Sequence, residues 1–296
     1  MAVDRYGDKP PLPVQPLASI RGAKLKGTFM AKASISLAWD ETRAVLARDG
    51  KLIASVALAL LVLPGVAVNV LLPEASGLGT PQTLLWTLVL LVAFLITFAG
   101  QLSIMRLATG PHVTVGESIR HAGARVLPFF GAFLLWAIPI IIAASLLYQM
   151  VRTNPTRPPL VASLGMLAIG LIGIFLAVRL LLLGAVASSE PGGPPTILRR
   201  SWQLTAGNWW RLFGFLLMFA IGAIALIWAT TSVVGLVARL TIGEITRGSV
   251  AGLVVILIAQ CVTAAVYAVL FVMQARIYVQ LAGMGEAQAS VPRSGI

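Results

Sequence analysis

Residues 212–237 read LFGFLLMFAIGAIALIWATTSVVGLV, an unbroken stretch without a charged side chain. A bilayer core of about 30 Å requires roughly 20 mostly apolar residues of a helix that crosses it, so this segment can span a membrane. Five further apolar segments have comparable length: about Leu52 to Leu72, Leu84 to Met105, Leu127 to Tyr148, Leu160 to Ala185, and Val250 to Leu281. The sequence therefore predicts an all-α integral membrane protein with six spans.

The composition of the whole chain favours the same class. Hydrophobic residues make up 58% of the chain and charged residues 11%, whereas an average soluble domain carries roughly a quarter charged residues. The formal net charge of +12 would suggest a nucleic-acid partner in a soluble domain. Here most basic residues lie in the N-terminal segment and beside span ends, where they orient spans and meet anionic lipid. We expect membrane lipids, anionic ones included, as partners and no nucleic acid.

The distribution of lysine and arginine predicts the orientation of the spans. The N-terminal segment, the second and fourth connections and the C-terminal region hold eighteen of them, and the other connections hold four. Basic segments stay in the cytoplasm, so both termini are expected there, in the inner cell membrane. The predicted organisation is a flexible, basic, proline-containing tail over residues 1–33, a membrane domain over 34–283 and a short cytoplasmic tail over 284–296.

Internal repetition predicts how the spans are arranged. At an offset of 83 residues, two sets of positions match: Ser118, Phe130, Gly131, Leu134, Ala137 and Ile138 with Ser201, Phe213, Gly214, Leu217, Ala220 and Ile221. Pro64, Pro139 and Gly222 fall at equivalent positions, where the prolines predict kinks and not breaks. We predict three similar helical hairpins, in units of about 34–110, 111–190 and 191–283.

Each hairpin is expected to follow a short cytoplasmic or interfacial amphipathic helix. These helices are predicted around Ile35 to Leu46, Glu117 to Ala124 and Leu198 to Thr205, with turns at Asp49–Gly50 and Gly207–Asn208. The side chains expected at the membrane interface are Trp39, Trp202, Trp209, Trp210, Arg199 and Arg200. Packing of these helices on the ends of the spans is the alternative.

The second helix of each hairpin ends near one arginine: Arg106, Arg179 and Arg276. Snorkelling and positive-inside orientation explain these residues in the simplest way. If the hairpins pack with threefold character, the three guanidinium groups also converge and bind the phosphate of an anionic lipid.

A search for catalytic or metal-binding chemistry gives no candidate. His112 and His121 lie in one connection without a cysteine partner, so no metal site is predicted, and His121 is expected to be a solvated surface residue. No span contains Asp or Glu, which disfavours an ion-coupled transporter. A polar path built from Gln101, Gln260 and Gln274 is the residual alternative. We expect no catalytic residue and no cofactor.

Residues 179–215 read RLLLLGAVASSEPGGPPTILRRSWQLTAGNWWRLFGF. With Arg179 near a span end, the ILRRSWQLT helix and the aromatic-basic WWR start of the next span, this segment resembles a bacterial membrane-domain family. That family occurs fused to some glycerophosphoryl diester phosphodiesterases and also alone in inner-membrane proteins. The strong similarity covers about 40 residues, and the spacing of the spans agrees more loosely over Leu52 to Gly283.

This resemblance implies a non-catalytic helical module, because the phosphodiesterase activity of fused members belongs to a separate soluble barrel for which this chain has no room. The expected function is therefore to organise membrane lipid or a partner membrane protein. The alternative function is a transporter or channel for a small solute, which a continuous polar path between the hairpins would favour.

Overall fold

The computed structural model describes residues 34–71, 84–110, 113–153, 159–243 and 249–283. Their helices are α1 (Ile35–Ala57), a π-helical turn (Leu58–Val62), α2 (Leu63–Leu71), α3 (Leu84–Thr109), α4 (Val115–Thr153), α5 (Leu160–Arg179), α6 (Leu183–Ser189), α7 (Pro194–Thr205), α8 (Trp209–Thr241) and α9 (Val250–Leu281). Within these ranges, six helical segments are long and apolar enough to cross a membrane, as predicted. The two predicted tails lie outside the described residues.

Consecutive spans contact each other around the bundle, and the last returns to the first. The contacting pairs are α1 with α3, α3 with α4, α4 with α5, α5 with α8, α8 with α9, and α9 with α1. In addition, α3 contacts α9. The two spans of each predicted hairpin therefore lie side by side, while the similarity of the three hairpins to one another stays a prediction.

Two of the three predicted amphipathic segments are not separate helices. The first belongs to α1, which continues through Asp49 and Gly50, so the turn predicted at these residues is wrong. The second belongs to α4. A glycine inside a helix costs only about 1 kcal/mol relative to alanine, and the packing of a long helix outweighs that. The turn at Gly207 is confirmed, since this residue has a φ of 80° and separates α7 from α8.

The fourth span, predicted as one segment from Leu160 to Ala185, is interrupted. Helix α5 ends at Arg179, and Leu180 leaves the helical region with φ −103° and ψ 11°. The chain turns through Leu182 before α6 begins. The segment contains no proline and no glycine at the turn. The interruption therefore depends on contacts with another part of the chain.

Proline does not break the other spans, in agreement with the prediction. Helix α4 is continuous through Pro128 and Pro139. Pro64 is the second residue of α2, which follows the π-helical turn. Proline clashes with the carbonyl four residues earlier, here that of Leu60, and a wide turn is a common way to accommodate such a clash within a helix.

The tightest packing lies between α3, the turn after α5, and α9. Large side chains that are fully buried there are Leu102, Ile104, Met105, Leu182, Val272 and Ile277. Towards the other end, the spans expose large apolar side chains such as Met218, Ile224 and Trp228. This is the distribution expected of a bundle surrounded by lipid tails.

The replacement Gly100→Ala should lower the thermal stability of the protein purified in detergent. A methyl group at Gly100 would lie 2.8 Å from Cβ of Leu60 and 3.3 Å from the Leu60 carbonyl oxygen, so α3 would have to move away from the π-helical turn. Overpacking of this kind costs about 1–3 kcal/mol. Gly222→Ala is the control, since no atom lies within 4 Å of a methyl group there. Equal melting midpoints for Gly100→Ala and wild type would contradict the close approach.

Candidate functional site

Polar contacts between helices concentrate at one end of the bundle, which we call the polar end. It comprises the N-terminal parts of α1, α4 and α8, the C-terminal parts of α3, α5 and α9, and all of α6 and α7. There the Ser103 hydroxyl donates to the Ser118 carbonyl at 3.4 Å, and the Ser34 amide donates to Oε1 of Gln280 at 3.1 Å. The three arginines predicted to bind lipid all lie at this end.

Arg276 is paired with a carboxylate. Its Nε donates to Oε2 of Glu41 in α1 at 2.8 Å, and its Nη1 donates to the carbonyl of Ala108 at 3.5 Å. The residue lies inside α9 and not at its end. Because Glu41 balances its charge and two of its nitrogens are used, Arg276 joins the first and last spans and has little capacity left for a phosphate.

Glu190 is the most connected polar residue of this end. Arg200 Nε lies 3.0 Å and 3.1 Å from its two carboxylate oxygens, and the buried Tyr278 hydroxyl donates to Oε1 at 2.9 Å. The Glu190 carbonyl accepts from Nη1 of Arg125 at 3.2 Å. One residue after α6 thus connects α4, α7 and α9.

His121 is half-buried, and so the expectation of a solvated surface histidine is wrong. Its Nε2 lies 2.7 Å from the carbonyl oxygen of Ser188. A carbonyl only accepts hydrogen bonds, so Nε2 carries a proton. The imidazole therefore joins α4 to α6. His112 lies outside the described residues, and the part of the chain that the structure describes contains no group of three potential metal ligands among His, Cys, Asp and Glu.

Arg179 is held differently from Arg276. Its guanidinium carbon lies 4.9 Å from the centre of the Trp202 ring and 5.5 Å from that of Phe175. Its carbonyl, left free where α5 ends, accepts from the Ser201 hydroxyl at 3.2 Å, and the Thr205 hydroxyl lies 3.1 Å from it and 3.0 Å from the Ser201 carbonyl. Helix α7 thus provides hydroxyl groups beside the carbonyl that the interruption of the fourth span leaves free. The side-chain atoms Nε and Nη1 are buried and have no hydrogen-bond partner.

The aromatic residues beside Arg179 form one cluster. Trp209 stacks on Phe213 at 5.1 Å between ring centres and on Phe175 at 5.9 Å. Trp202 and Trp210 pack on the edge of this cluster and remain 41% and 76% exposed. Of the other residues predicted at the interface, Trp39 and Arg199 are exposed, whereas Arg200 is bound to Glu190.

Arg106 lies in the last turn of α3, against the first turns of α4. Together with Arg120 and His121 it lines a small cavity. A pattern follows for all three arginines: Arg106 faces the start of unit two, Arg179 faces α7 of unit three, and Arg276 faces α1 of unit one.

The three glutamines of the suggested polar path lie against different partners. A methyl group at Gly184 would come within 2.8 Å of the Gln101 amide nitrogen, and one at Gly65 within 2.5 Å of Oε1 of Gln260. Gln274 is buried among fully buried apolar neighbours. Each of the first two amides is therefore packed closely on a glycine of a neighbouring helix, α6 for Gln101 and α2 for Gln260.

Sequence reasoning missed Glu190 and Tyr278 as partners. They are separated by 88 positions, and neither stands in a recognisable motif. The one available signal was that Glu190 follows a span end beside several arginines, which a carboxylate in such a place would be expected to pair with.

No protein-family model matches this chain, and neither a curated protein nor a solved structure matches it. The resemblance of residues 179–215 to the membrane-domain family therefore stays a prediction based on those residues themselves.

The replacement Tyr278→Phe should lower the melting midpoint of the purified protein, and Glu190→Ala should lower it further. Tyr278→Phe removes one hydrogen bond to a carboxylate, worth about 1–3 kcal/mol. Glu190→Ala leaves both the buried Tyr278 hydroxyl and Arg200 without their acceptor. The control is Tyr267→Phe, which alters an exposed ring. A Tyr278→Phe midpoint equal to that of Tyr267→Phe would show that the Glu190 contacts do not stabilise the fold.

Proposed function

We propose that this chain is a non-catalytic, multi-pass module of the inner membrane that binds phosphate-bearing lipid at its polar end, with both termini in the cytoplasm. The observation that supports the proposal most strongly is the environment of Arg179. Two of its nitrogens are buried without a partner, beside aromatic rings that are partly exposed.

A comparison of interaction energies favours an additional hydrogen-bond partner for Arg179. A cation over aromatic rings gains about 0.5–2 kcal/mol, but the rings do not supply the acceptors that N–H groups require. Leaving a buried donor unpaired costs about 1–3 kcal/mol, and more for a charged group. A phosphate oxygen would restore these bonds and, because the guanidinium is planar, could accept two of them at once.

The position of Arg179 suits a lipid headgroup. Tryptophan is enriched at the boundary between hydrocarbon and water, and Trp202 and Trp210 are exposed beside this arginine. Helix α7 buries Ile197, Ser201 and Leu204 and exposes Arg199 on the opposite face. A headgroup bound at Arg179 would therefore have its tails beside the exposed apolar surface of α5 and α8.

Lipid binding accounts for the bundle better than solute transport. Of the three glutamines that could form a polar path, Gln101 and Gln260 are packed against glycines of neighbouring helices, and Gln274 is buried. The region between α3 and α9 is filled by large apolar side chains such as Leu102, Met105 and Ile277. The best-connected carboxylate, Glu190, is engaged by Arg200 and Tyr278, so a role in stability explains it without catalysis.

Lipid analysis of the purified protein tests the proposal. Extracted in mild detergent, Arg179→Gln should retain a smaller fraction of anionic lipid than wild type, with an affinity about tenfold lower, as expected from the loss of hydrogen bonds to a charged group. Arg179→Lys keeps the positive charge but loses the planar guanidinium group. Its retained fraction of anionic lipid should therefore lie between those of wild type and Arg179→Gln. Mass spectrometry of the retained lipid provides the measurement.

Arg43→Gln is the matched control, because Arg43 is an exposed arginine of α1 at the same end of the bundle. It removes the same charge without touching the aromatic cluster. Equal losses of anionic lipid in Arg179→Gln and Arg43→Gln would overturn the proposed site and leave only general electrostatic attraction. Retention of a membrane protein in place of lipid would overturn it as well.

The orientation is tested by reporter fusions. The excess of basic residues predicts that fusions after residues 112, 195 and 290 report the cytoplasm, and that fusions after 78, 154 and 244 report the outside. A reversed pattern at any of these positions contradicts the topology, and would place Arg179 in the opposite leaflet.

A further inference from the structure

A second basic cluster lies at the polar end, where the last turn of α3 meets the first turns of α4. It surrounds a cavity of about 210 Å³ lined by Arg106, Glu117, Arg120, His121 and Ala124. None of these residues belongs to the aromatic cluster around Arg179. The cavity is therefore a separate feature that the proposed lipid site does not use.

Arg106 occupies an unusual place in this cluster. It is half-buried between the fully buried Met105 and Leu107. Elsewhere at the polar end, Arg276 and Arg200 each have a carboxylate partner. Among the described residues, the Arg106 side chain has no such partner, although the Glu117 carboxylate lines the same cavity. The Arg106 guanidinium therefore lines the cavity with N–H donors that an anion entering it could accept from.

His121 forms a fixed wall of the cavity. Its Nε2 donates to the Ser188 carbonyl at 2.7 Å, which sets the ring orientation. Arg120, one residue earlier on α4, is exposed and lines the opening of the same space. The cavity therefore combines a half-buried arginine, a positioned imidazole and a second arginine that is accessible to water.

Charge and size define the ligand. Two arginines against one glutamate leave the lining positively charged. Pockets for drug-sized ligands begin at about 300 Å³, so this smaller space suits a compact oxyanion and not a nucleotide. The planar guanidinium group of arginine has pairs of N–H donors that match two oxygens of a phosphate.

We propose that this cavity binds a phosphate group, as inorganic phosphate, a small phosphomonoester or the headgroup of a phosphatidic-acid type of lipid, with Arg106 and Arg120 donating to its oxygens. Glu117 weakens the binding of a doubly charged anion by repulsion and limits the affinity. Arg106 thus acts with the start of α4, and not with Arg179 and Arg276.

The test measures binding of inorganic phosphate and of methyl phosphate by calorimetry, with the full chain in a neutral detergent at constant ionic strength. Arg106→Gln and Arg120→Gln should each lower the affinity about tenfold or more. Glu117→Gln should raise it. Arg43→Gln should leave it unchanged, which separates binding in this cavity from general electrostatic attraction. Arg120 is exposed, so its replacement tests the proposal even if Arg106→Gln fails to fold.

A second arm uses nanodiscs of phosphatidylcholine with and without phosphatidic acid, and compares melting midpoints. Binding of the soluble phosphates that is lost in the two arginine variants identifies a free phosphate as ligand. Stabilisation by phosphatidic acid alone, lost in the same variants, identifies the lipid headgroup. If wild type, Arg106→Gln and Arg120→Gln respond equally in both arms, the site is not an anion site and the proposal fails.

Discussion

A charged side chain at the edge of a bilayer is stable only when another polar group or water compensates it, since an isolated charge in apolar surroundings costs several kcal/mol. This requirement organises the polar end of the bundle. Glu41 compensates Arg276 and so joins the first span to the last. Glu190 compensates Arg200 and receives the Tyr278 hydroxyl, which fixes α7 against α9. Helices distant in sequence thus acquire a defined arrangement from two carboxylates.

Within the apolar part of the bundle, close packing of side chains, and not charge pairing, holds the helices together. Lipid tails are as apolar as leucine, so helices associate through close packing at small residues. Gly100 brings α3 against the Leu60 backbone, and Gly184 accepts the Met105 and Gln101 side chains. The π-helical turn before Pro64 lies at the first of these contacts. A feature caused by proline in one span therefore determines where a neighbouring span needs glycine.

The sequence predicted the spans well, because the length of an apolar run is a local property that the bilayer selects directly. It predicted the local breaks poorly. Gly50 suggested a turn that α1 does not make, whereas the fourth span is interrupted after Arg179, where the local residues give no signal. The carbonyl that this interruption leaves free lies beside the hydroxyls of Ser201 and Thr205, more than twenty residues later. The Tyr278 partner of Glu190 and the Ser188 partner of His121 lie still farther away in sequence, at 88 and 67 positions, so only the folded arrangement reveals them.

The three arginines occupy corresponding positions of the predicted units but have different surroundings. Each faces the first helix of the next unit, the third closing on the first, and the equivalent positions of those helices are fully buried in all three: Ala38 and Thr42, Ser118 and Ala122, Ser201 and Thr205. The predicted threefold repeat would produce such a cyclic pattern, and the repeat itself stays a prediction. The neighbouring side chains nevertheless differ, since Arg276 meets Glu41, Arg179 meets Trp202, and Arg106 meets Arg120 and His121. The surrounding residues, and not the position at the end of a span, decide the chemistry of each guanidinium group. Arg276 joins the first span to the last, whereas Arg179 and Arg106 keep N–H donors that an anion can use.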